Sequence, residues 1–338
     1  MERPSQCVGS VHVELRMDRN QNTAPKPEIG ASPALERVVE RIGQVVRDKD
    51  EVVRLLLIGV LARGHVLLED VPGVGKTTLA RALARAIGGT MSRIQLTSDL
   101  LPADLLGGVV LDRRTQELSF RRGPIFANVV LADELNRATP RTQSGLLEAM
   151  AERSVSIDGQ THALPEPFLV VATQNPTEHH GVYPLPESQL DRFLIRTTVG
   201  YPGEEVEREL IMGTPDAADP DSIEPVLTPE SLALWVRGVD EVKLGEDVAS
   251  YLQAVVRATR EAPELEIGVS TRGALSFARA ARARAVIFGR RYVTPDDVYE
   301  LAVPVLAHRV VVRGGRNHER APAEARITEI LARVAVPV

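Results

Sequence analysis

The stretch from His65 to Ala86 constrains the fold of this chain more than any other. Val66 to Leu68 is an apolar run the length of a short buried strand, and Leu79-Ala80-Arg81-Ala82-Leu83-Ala84-Arg85-Ala86 is built from strong helix formers. Between them lies Val71-Pro72-Gly73-Val74-Gly75-Lys76-Thr77-Thr78. Strand, glycine loop and helix start make an anion cradle, because free backbone N–H groups and the positive end of the helix dipole aim at one place. Gly73 and Gly75 let the backbone wrap closely around phosphates, Lys76 reaches the terminal ones, and Thr77 is the expected Mg²⁺ ligand. Pro72, Val74 and Thr78 complete the loop expected around the phosphates. The strict form of this motif has glycine where Asp70 stands, so the Asp70 carboxylate is expected to point away from the anion.

A chain of 338 residues has room for two domains. Its 43 % apolar and 25 % charged residues are the balance of a soluble globular protein. A formal charge of −6 argues against a general nucleic-acid binder. One cysteine, Cys7, excludes a disulfide framework and a cysteine-rich zinc site, and suits a reducing cytoplasm. The N-terminus lacks the charged start and apolar core of a signal peptide. The longest apolar stretch, Val52 to Ala62, is too short to span a bilayer and is broken by Arg54.

Residues 1–30 are polar and without periodicity, and read as a mobile tail. Helical spacing then runs through Leu35, Val38, Val39, Ile42, Val45 and Val46, and a second helix covers about 50–62. Beyond the loop helix, Ser92–Leu96 reads as a strand and Asp99–Leu106 as a short helix. Val109–Leu111 and Leu118–Phe120 form a hairpin around a polar turn, and Ser154–Leu164 form another around Asp158-Gly159.

Val129-Val130-Leu131-Ala132-Asp133-Glu134 is a buried parallel strand with two carboxylates at its C-terminal end, the edge where ligands of open α/β sheets lie. One carboxylate can hold a metal through water and the other can orient an attacking water. Phe168–Thr173 is a further buried strand that delivers Gln174 and Asn175 to the same edge. Leu194–Val199 reads as the last strand, and Tyr201-Pro202-Gly203 as a boundary. Helices follow at about 204–212, 229–237, 246–260, 271–288, 295–302 and 323–333. Ser270 is the expected cap of the fourth, whose Arg279, Arg282 and Arg284 are expected on a solvated or interface face. His162, His179 and His180 lack metal-ligand spacing.

With these residues in view, the sequence from about 31 to 338 resembles the MoxR family of AAA+ ATPases. The likeness rests on the Val-Pro-Gly-Val-Gly-Lys-Thr loop, on Leu131-Ala132-Asp133-Glu134-Leu135-Asn136-Arg137-Ala138, and on Ala172-Thr173-Gln174-Asn175-Pro176. It rests equally on Tyr183-Pro184-Leu185-Pro186-Glu187-Ser188-Gln189-Leu190-Asp191-Arg192-Phe193. An Asp before Val-Pro-Gly also occurs in that family. The resemblance implies Asp133 as the metal-side carboxylate, Glu134 as the catalytic base and Asn175 as the first sensor. Arg192 matches the arginine finger, which works on the neighbouring subunit's nucleotide. Gly268-Val269-Ser270-Thr271-Arg272-Gly273-Ala274 is similar to the lid's second-sensor motif and puts Arg272 over the γ-phosphate, although Thr271 and Gly273 depart from the usual proline and alanine. Arg47-Asp48-Lys49 stands where the family has Val-Gly-Gln beside the adenine.

The expected fold is therefore α/β: a P-loop AAA+ three-layer αβα core with a parallel sheet at 31–203, a small helical lid domain at 204–312, and a C-terminal tail with a short helix at 313–338. The expected activity is Mg²⁺-dependent ATP hydrolysis in a cytoplasmic ring of identical chains, hexameric by resemblance. The partner class implied is a protein carrying a von Willebrand factor A domain, remodelled or matured in chaperone fashion. Two other readings compete. A nucleic-acid motor would use the basic hairpin at 111–122, with Arg113, Arg114, Arg121 and Arg122, but charge runs are more often solvated, and one tryptophan and five tyrosines offer few stacking platforms. A nucleotide-gated scaffold without turnover would need neither Glu134 nor Arg192.

Overall fold

A computed structural model of the chain describes residues 33–111, 113–114, 116–175, 181–212, 219–314 and 320–337. The expected tail at 1–30, Asp112 in the hairpin turn, Pro176, and His179 and His180 lie outside the described residues. Helices α1 (Pro33–Gly43) and α2 (Asp50–Leu61) lead to β1 (Val66–Glu69), whose end opens into the glycine loop and α3 (Lys76–Ala86). Strand β2 (Met91–Gln95) and helix α4 (Pro102–Leu106) precede the hairpin β3 (Gly107–Leu111) and β4 (Leu118–Arg122). Strand β5 (Val129–Asp133), helix α5 (Pro140–Glu152), the hairpin β6 (Ser154–Ile157) and β7 (Gln160–Ala163), and β8 (Leu169–Gln174) follow. Helix α6 (Glu187–Leu190) and β9 (Ile195–Thr197) end the sheet region.

Five strands form one parallel sheet in the order β2-β5-β8-β1-β9. Successive side chains of a strand point to opposite faces, and the two apolar clusters follow that alternation. Val66, Leu68, Val129, Leu131, Leu169 and Val171 face α1, α2 and α3. Leu67, Val130, Ala132, Val170 and Ala172 face α4 and α5. The result is the expected three-layer core, with a chemical edge at the C-terminal ends of all five strands.

The rest of the chain is mainly helical: α7 (Glu204–Ile211), α8 (Pro229–Gly238), α9 (Glu246–Glu261), β10 (Leu265–Ile267), α10 (Thr271–Ile287), α11 (Pro295–Leu306), β11 (Val311–Val312) and α12 (Arg320–Arg333). Helices α8 to α12 share one continuous apolar cluster with α1, α2 and α3, so the lid is fastened to the core by burial. Ser270 caps α10 as expected, its hydroxyl accepting from the Gly273 amide at 3.0 Å.

Three features differ from the sequence reading. Strands β10 and β11 pair antiparallel where no strand was expected, being too short to carry a period. Helix α11 runs past Pro304 to Leu306, because a proline in the last turn removes little while Val305 and Leu306 gain full burial. Arg284 is not on a solvated face: it donates at 2.7 Å to Asp297, which is fully buried and also held by Arg290 at 2.6 Å. Burial pushes the Asp297 carboxyl up, but hydrogen bonds from Arg290, the Thr294 amide and Arg284 outweigh it and hold the group below its ordinary range.

Two histidines also tie the layers together. The His65 Nδ1 accepts from the Val170 amide at 3.0 Å, which leaves Nε2–H to donate to Met150 O at 3.1 Å. Burial lowers its pKa to about 3. Burial, with the Arg309 charge beside it, also holds His308 well below its usual value. Both rings are neutral in the fold and take up protons only in the unfolded chain, so their contribution to stability is full above about pH 6.5 and is lost as pH falls below it. Urea unfolding at pH 5.5 should therefore give a free energy lower than at pH 7.5, by about 1 kcal/mol for each histidine. Equal values at the two pH values would show that these rings titrate normally.

Candidate nucleotide site

The loop begins where β1 ends. Gly73 and Gly75 have φ of 89° and 88°, a backbone region that side-chain-bearing residues rarely adopt, and among the described residues, their chain neighbours aside, no atom lies within 4 Å of where a Cβ would stand. The open space is a cradle sized for phosphate oxygens, framed by Pro72, Val74 and the first amides of α3, which starts at Lys76. The Lys76 ammonium lies back over the loop, donating to Asp70 O at 3.0 Å and Val71 O at 3.1 Å. Thr77 and Thr78 follow on the first turn of α3. Asp70 points away from the cradle, as expected: its carboxylate accepts from the Val199 amide and, at 3.1 Å, from the Gly200 amide.

Parallel register brings the carboxylates to the same edge. Asp133 ends β5, opposite Gln95 at the end of β2. It is buried, and each oxygen has a partner: Oδ1 accepts from the Thr173 hydroxyl at 2.9 Å, and Oδ2 from the Arg93 guanidinium at 2.8 Å. Glu134 has a left-handed backbone (φ 59°, ψ 50°) that turns the chain sharply off the strand. The Glu134 amide donates to the Thr173 hydroxyl at 2.9 Å, so one hydroxyl fixes both acidic residues. Glu134 Oε2 accepts from Gln95 Nε2 at 2.6 Å and pairs with Arg137 at 3.2 Å. Asn175 follows Gln174, which is in register with Glu69 at the mouth of the loop, and is buried. A cleft of about 620 Å³ runs from Thr77 along α3 past Arg81 and Arg85, both of which bond Asp221, to Arg93.

Sequence reading does not single out Thr173, Gln95 or Arg93. Their signal is register, since Gln95 and Thr173 occupy strand ends on either side of β5, and register depends on strand order rather than local pattern.

Arg192 and Arg272 lie elsewhere. They line one cleft of about 460 Å³ with Gly64, Glu148, Glu152 and Arg153, and none of the phosphate-loop residues lines it. Gly64 and His65 precede β1, so this cleft opens at the opposite edge of the sheet, a strand length or about 13 Å from the loop. Arg272 is therefore remote from the phosphate loop of its own chain: α10 packs along α2, and that docking carries its first turn to the N-terminal edge. Arg192 donates to Leu147 O at 2.6 Å on α5. Arg47-Asp48-Lys49 sits against the connection after β9, with Arg47 paired to Glu209 and Lys49 donating to Tyr201 O at 2.7 Å. Among the described residues no cluster of three or more potential ligands forms a protein-only metal centre. The donor set fits instead a cation shared with a triphosphate: one hydroxyl at Thr77 and one carboxylate at Asp133.

A parallel sheet in this strand order, with a lysine loop after its fourth spatial strand and an acidic pair on its second, is the architecture of an AAA+ nucleoside triphosphatase. Known proteins narrow the assignment. The model of the ATPase family associated with various cellular activities (AAA) matches residues 65–195, and that of the AAA lid domain matches 257–330. The chain is 45 % identical to the uncharacterized protein YeaC of Bacillus subtilis over 306 residues, covering 90 % of this chain and 96 % of that one. It is 43 % identical to Chaperone MoxR1 of Mycobacterium tuberculosis over 314 residues (90 % and 82 % covered), and 33 % identical to Protein MoxR of Methylorubrum extorquens over 303 (82 % and 87 %). A crystal structure described as a "putative ATPase" from Cytophaga hutchinsonii superposes with a TM-score of 0.81 at 35 % identity, covering 90 % of this chain and 95 % of that one. The chain belongs to the MoxR family of AAA+ ATPases, and it binds and hydrolyses ATP.

The doubly used Thr173 hydroxyl offers a direct check. Replacing it with valine (Thr173→Val) removes a hydrogen bond to a charged group, worth about 1.5–3 kcal/mol. Turnover should fall about tenfold or more, with ATP affinity little changed. An unaltered kcat would detach Thr173 from the chemistry.

Proposed function

We propose that the chain works as a ring of identical subunits, in which Mg²⁺-dependent ATP hydrolysis drives remodelling of a partner protein. The observation that carries this reading is the placement of Arg192 and Arg272 together, across the sheet from their own phosphate loop. A site so divided is incomplete in one chain and is completed by the opposite face of the next, the head-to-tail contact that closes rings. In this reading Lys76, Gly73, Gly75 and the neighbouring loop amides bind the β- and γ-phosphates. Thr77 and Asp133 would hold Mg²⁺, which neutralises phosphate charge when bound. Glu134 accepts the proton of the attacking water, Asn175 positions that water, and the neighbour's Arg192 and Arg272 stabilise the transferring phosphoryl group. The core at 31–203 and the lid at 204–312 are its working parts.

The name of the mycobacterial relative supports a chaperone role, and the exposed hairpin supports a protein client. Val109, Val110, Leu111 and Leu118 are exposed there beside Arg121 and Arg122. A mixed apolar and cationic tip suits polypeptide better than a phosphate backbone, which wants cations and polar groups. The resemblance offers a von Willebrand factor A domain protein as the partner class. Among the described residues no helix is long and apolar enough to cross a membrane, and a cytoplasmic setting is proposed with the single Cys7 in mind.

Glu134→Gln should keep ATP binding and lose most turnover, whereas Lys76→Ala should lose binding itself; equal loss of affinity in both would reverse these roles. Arg192→Ala and Lys76→Ala subunits, each inactive alone, should regain activity when mixed, because a Lys76→Ala chain still lends its Arg192. Such arginines contribute roughly 10³–10⁵ in rate in phosphoryl-transfer enzymes. No recovery in rings shown to be mixed would refute the shared site. DNA binding at physiological salt should be weak. Tight binding whose log K falls against log salt with a slope of about one per phosphate neutralised, abolished by reversing Arg113, Arg114, Arg121 and Arg122, would favour the nucleic-acid motor.

A further inference from the structure

We propose that Arg309, assisted by His308, is a positioning residue through which the lid sets the aim of Arg192; this rests on the shared-site reading above. Arg309 lies in the short turn after α11, and its side chain is only 2 % exposed. Its guanidinium is used on every side. Nε donates to Asp191 Oδ1 at 2.9 Å, Nη1 to Val305 O at 2.7 Å, and Nη2 to Asp191 O at 3.3 Å and Phe193 O at 2.8 Å. His308 Nε2 adds a second hydrogen bond to Phe193 O at 2.9 Å. Arg192 is therefore the middle residue of a three-residue segment whose two outer members are both gripped by the lid.

Burying a guanidinium is costly, and four oxygen acceptors offset that cost here. An apolar residue would fasten lid to core at lower cost. What the planar fork adds is direction, since it meets Asp191 and the Phe193 carbonyl only in one orientation. Among the described residues the Arg192 side chain has one acceptor, Leu147 O on α5, while the residues on either side of it are held by Arg309 and His308. The same lid carries Arg272 on the first turn of α10 into the same cleft. Both cations offered to the neighbouring nucleotide thus travel on one body. A lid displacement in one subunit changes catalysis in the next, which is how a ring can fire in sequence.

The experiment uses full-length Arg309→Lys, which keeps the charge but loses the fork, and Asp191→Asn, which is isosteric and keeps both carbonyl acceptors. Arg192→Ala is run as the reference. Each variant alone should lose at least tenfold in kcat with KM for ATP within about twofold, since its own phosphate loop is untouched. Mixed in equal amounts with Lys76→Ala subunits, each should recover activity, because its loop now receives a well-aimed Arg192. Random mixing would restore about a quarter of the sites in a head-to-tail ring. Mixed with Arg192→Ala, each should recover nothing, as neither partner supplies an aimed arginine.

A residue that merely stabilises the lid would give a different pattern, damaging its own subunit's site so that Lys76→Ala cannot help. The proposal is overturned if Arg309→Lys and Asp191→Asn keep wild-type kcat, or if Lys76→Ala fails to restore them in rings where it restores Arg192→Ala. If Arg192→Ala is itself not restored, the shared-site reading falls and takes this inference with it. Should Arg309→Lys fail to fold, Asp191→Asn decides alone.

Discussion

The shared direction of five strands is the constraint from which the rest of this structure follows. Because β2, β5, β8, β1 and β9 all run one way, their C-terminal ends make a single edge, and it gathers Lys76 and Thr77, Asp133 and Glu134, and Asn175 from three distant parts of the sequence. The same parallelism creates a second edge, where Gly64 and His65 enter β1 and where Arg192 and Arg272 lie. Within the first edge one hydroxyl, that of Thr173, orders the two acidic groups by donating to one and accepting from the amide of the other.

Much of this is legible in the sequence because its signals are local. An apolar run followed by Gly-Val-Gly-Lys-Thr reads as strand, cradle and helix, and Asp158-Gly159 reads as a hairpin turn. The Asp70 carboxylate is readable as turned away, since a second negative charge beside phosphates is costly. What cannot be read is set by contacts between distant segments. The lid location follows from α10 settling on α2, and no periodicity within α10 announces which side of the sheet its first turn will reach. Arg284 looks like a surface cation in a helix of many arginines, yet its partner, Asp297, lies on the next helix and is fully buried. Gln95 lies in no motif and Thr173 sits unassigned inside one, and both acquire their roles from register.

Lid and core are joined by two kinds of contact with different consequences. The apolar cluster running from α1 to α12 is non-directional and holds the two parts together. The polar clasp from His308 and Arg309 to Asp191 and Phe193 is directional and fixes how they face each other. Apolar packing tolerates small sliding, whereas a planar guanidinium between four oxygens does not.

The strand order also sets a timetable for synthesis. Strand β1 has β8 and β9 as its neighbours, and Val66 pairs with Val171 and Ile195. At elongation rates of about 5–20 residues per second, β1 leaves the ribosome roughly 5–20 s before its first sheet partner exists. During that interval Val66, Leu67 and Leu68 have no strand to pair with; α1, α2 and α3 can cover Val66 and Leu68 at once, whereas Leu67 waits for α4 and α5. The mouth of the glycine loop also waits for β8, since the Asp70 amide donates to Gln174 O at 3.2 Å, so an apolar strand end stays unpaired for most of the core's synthesis.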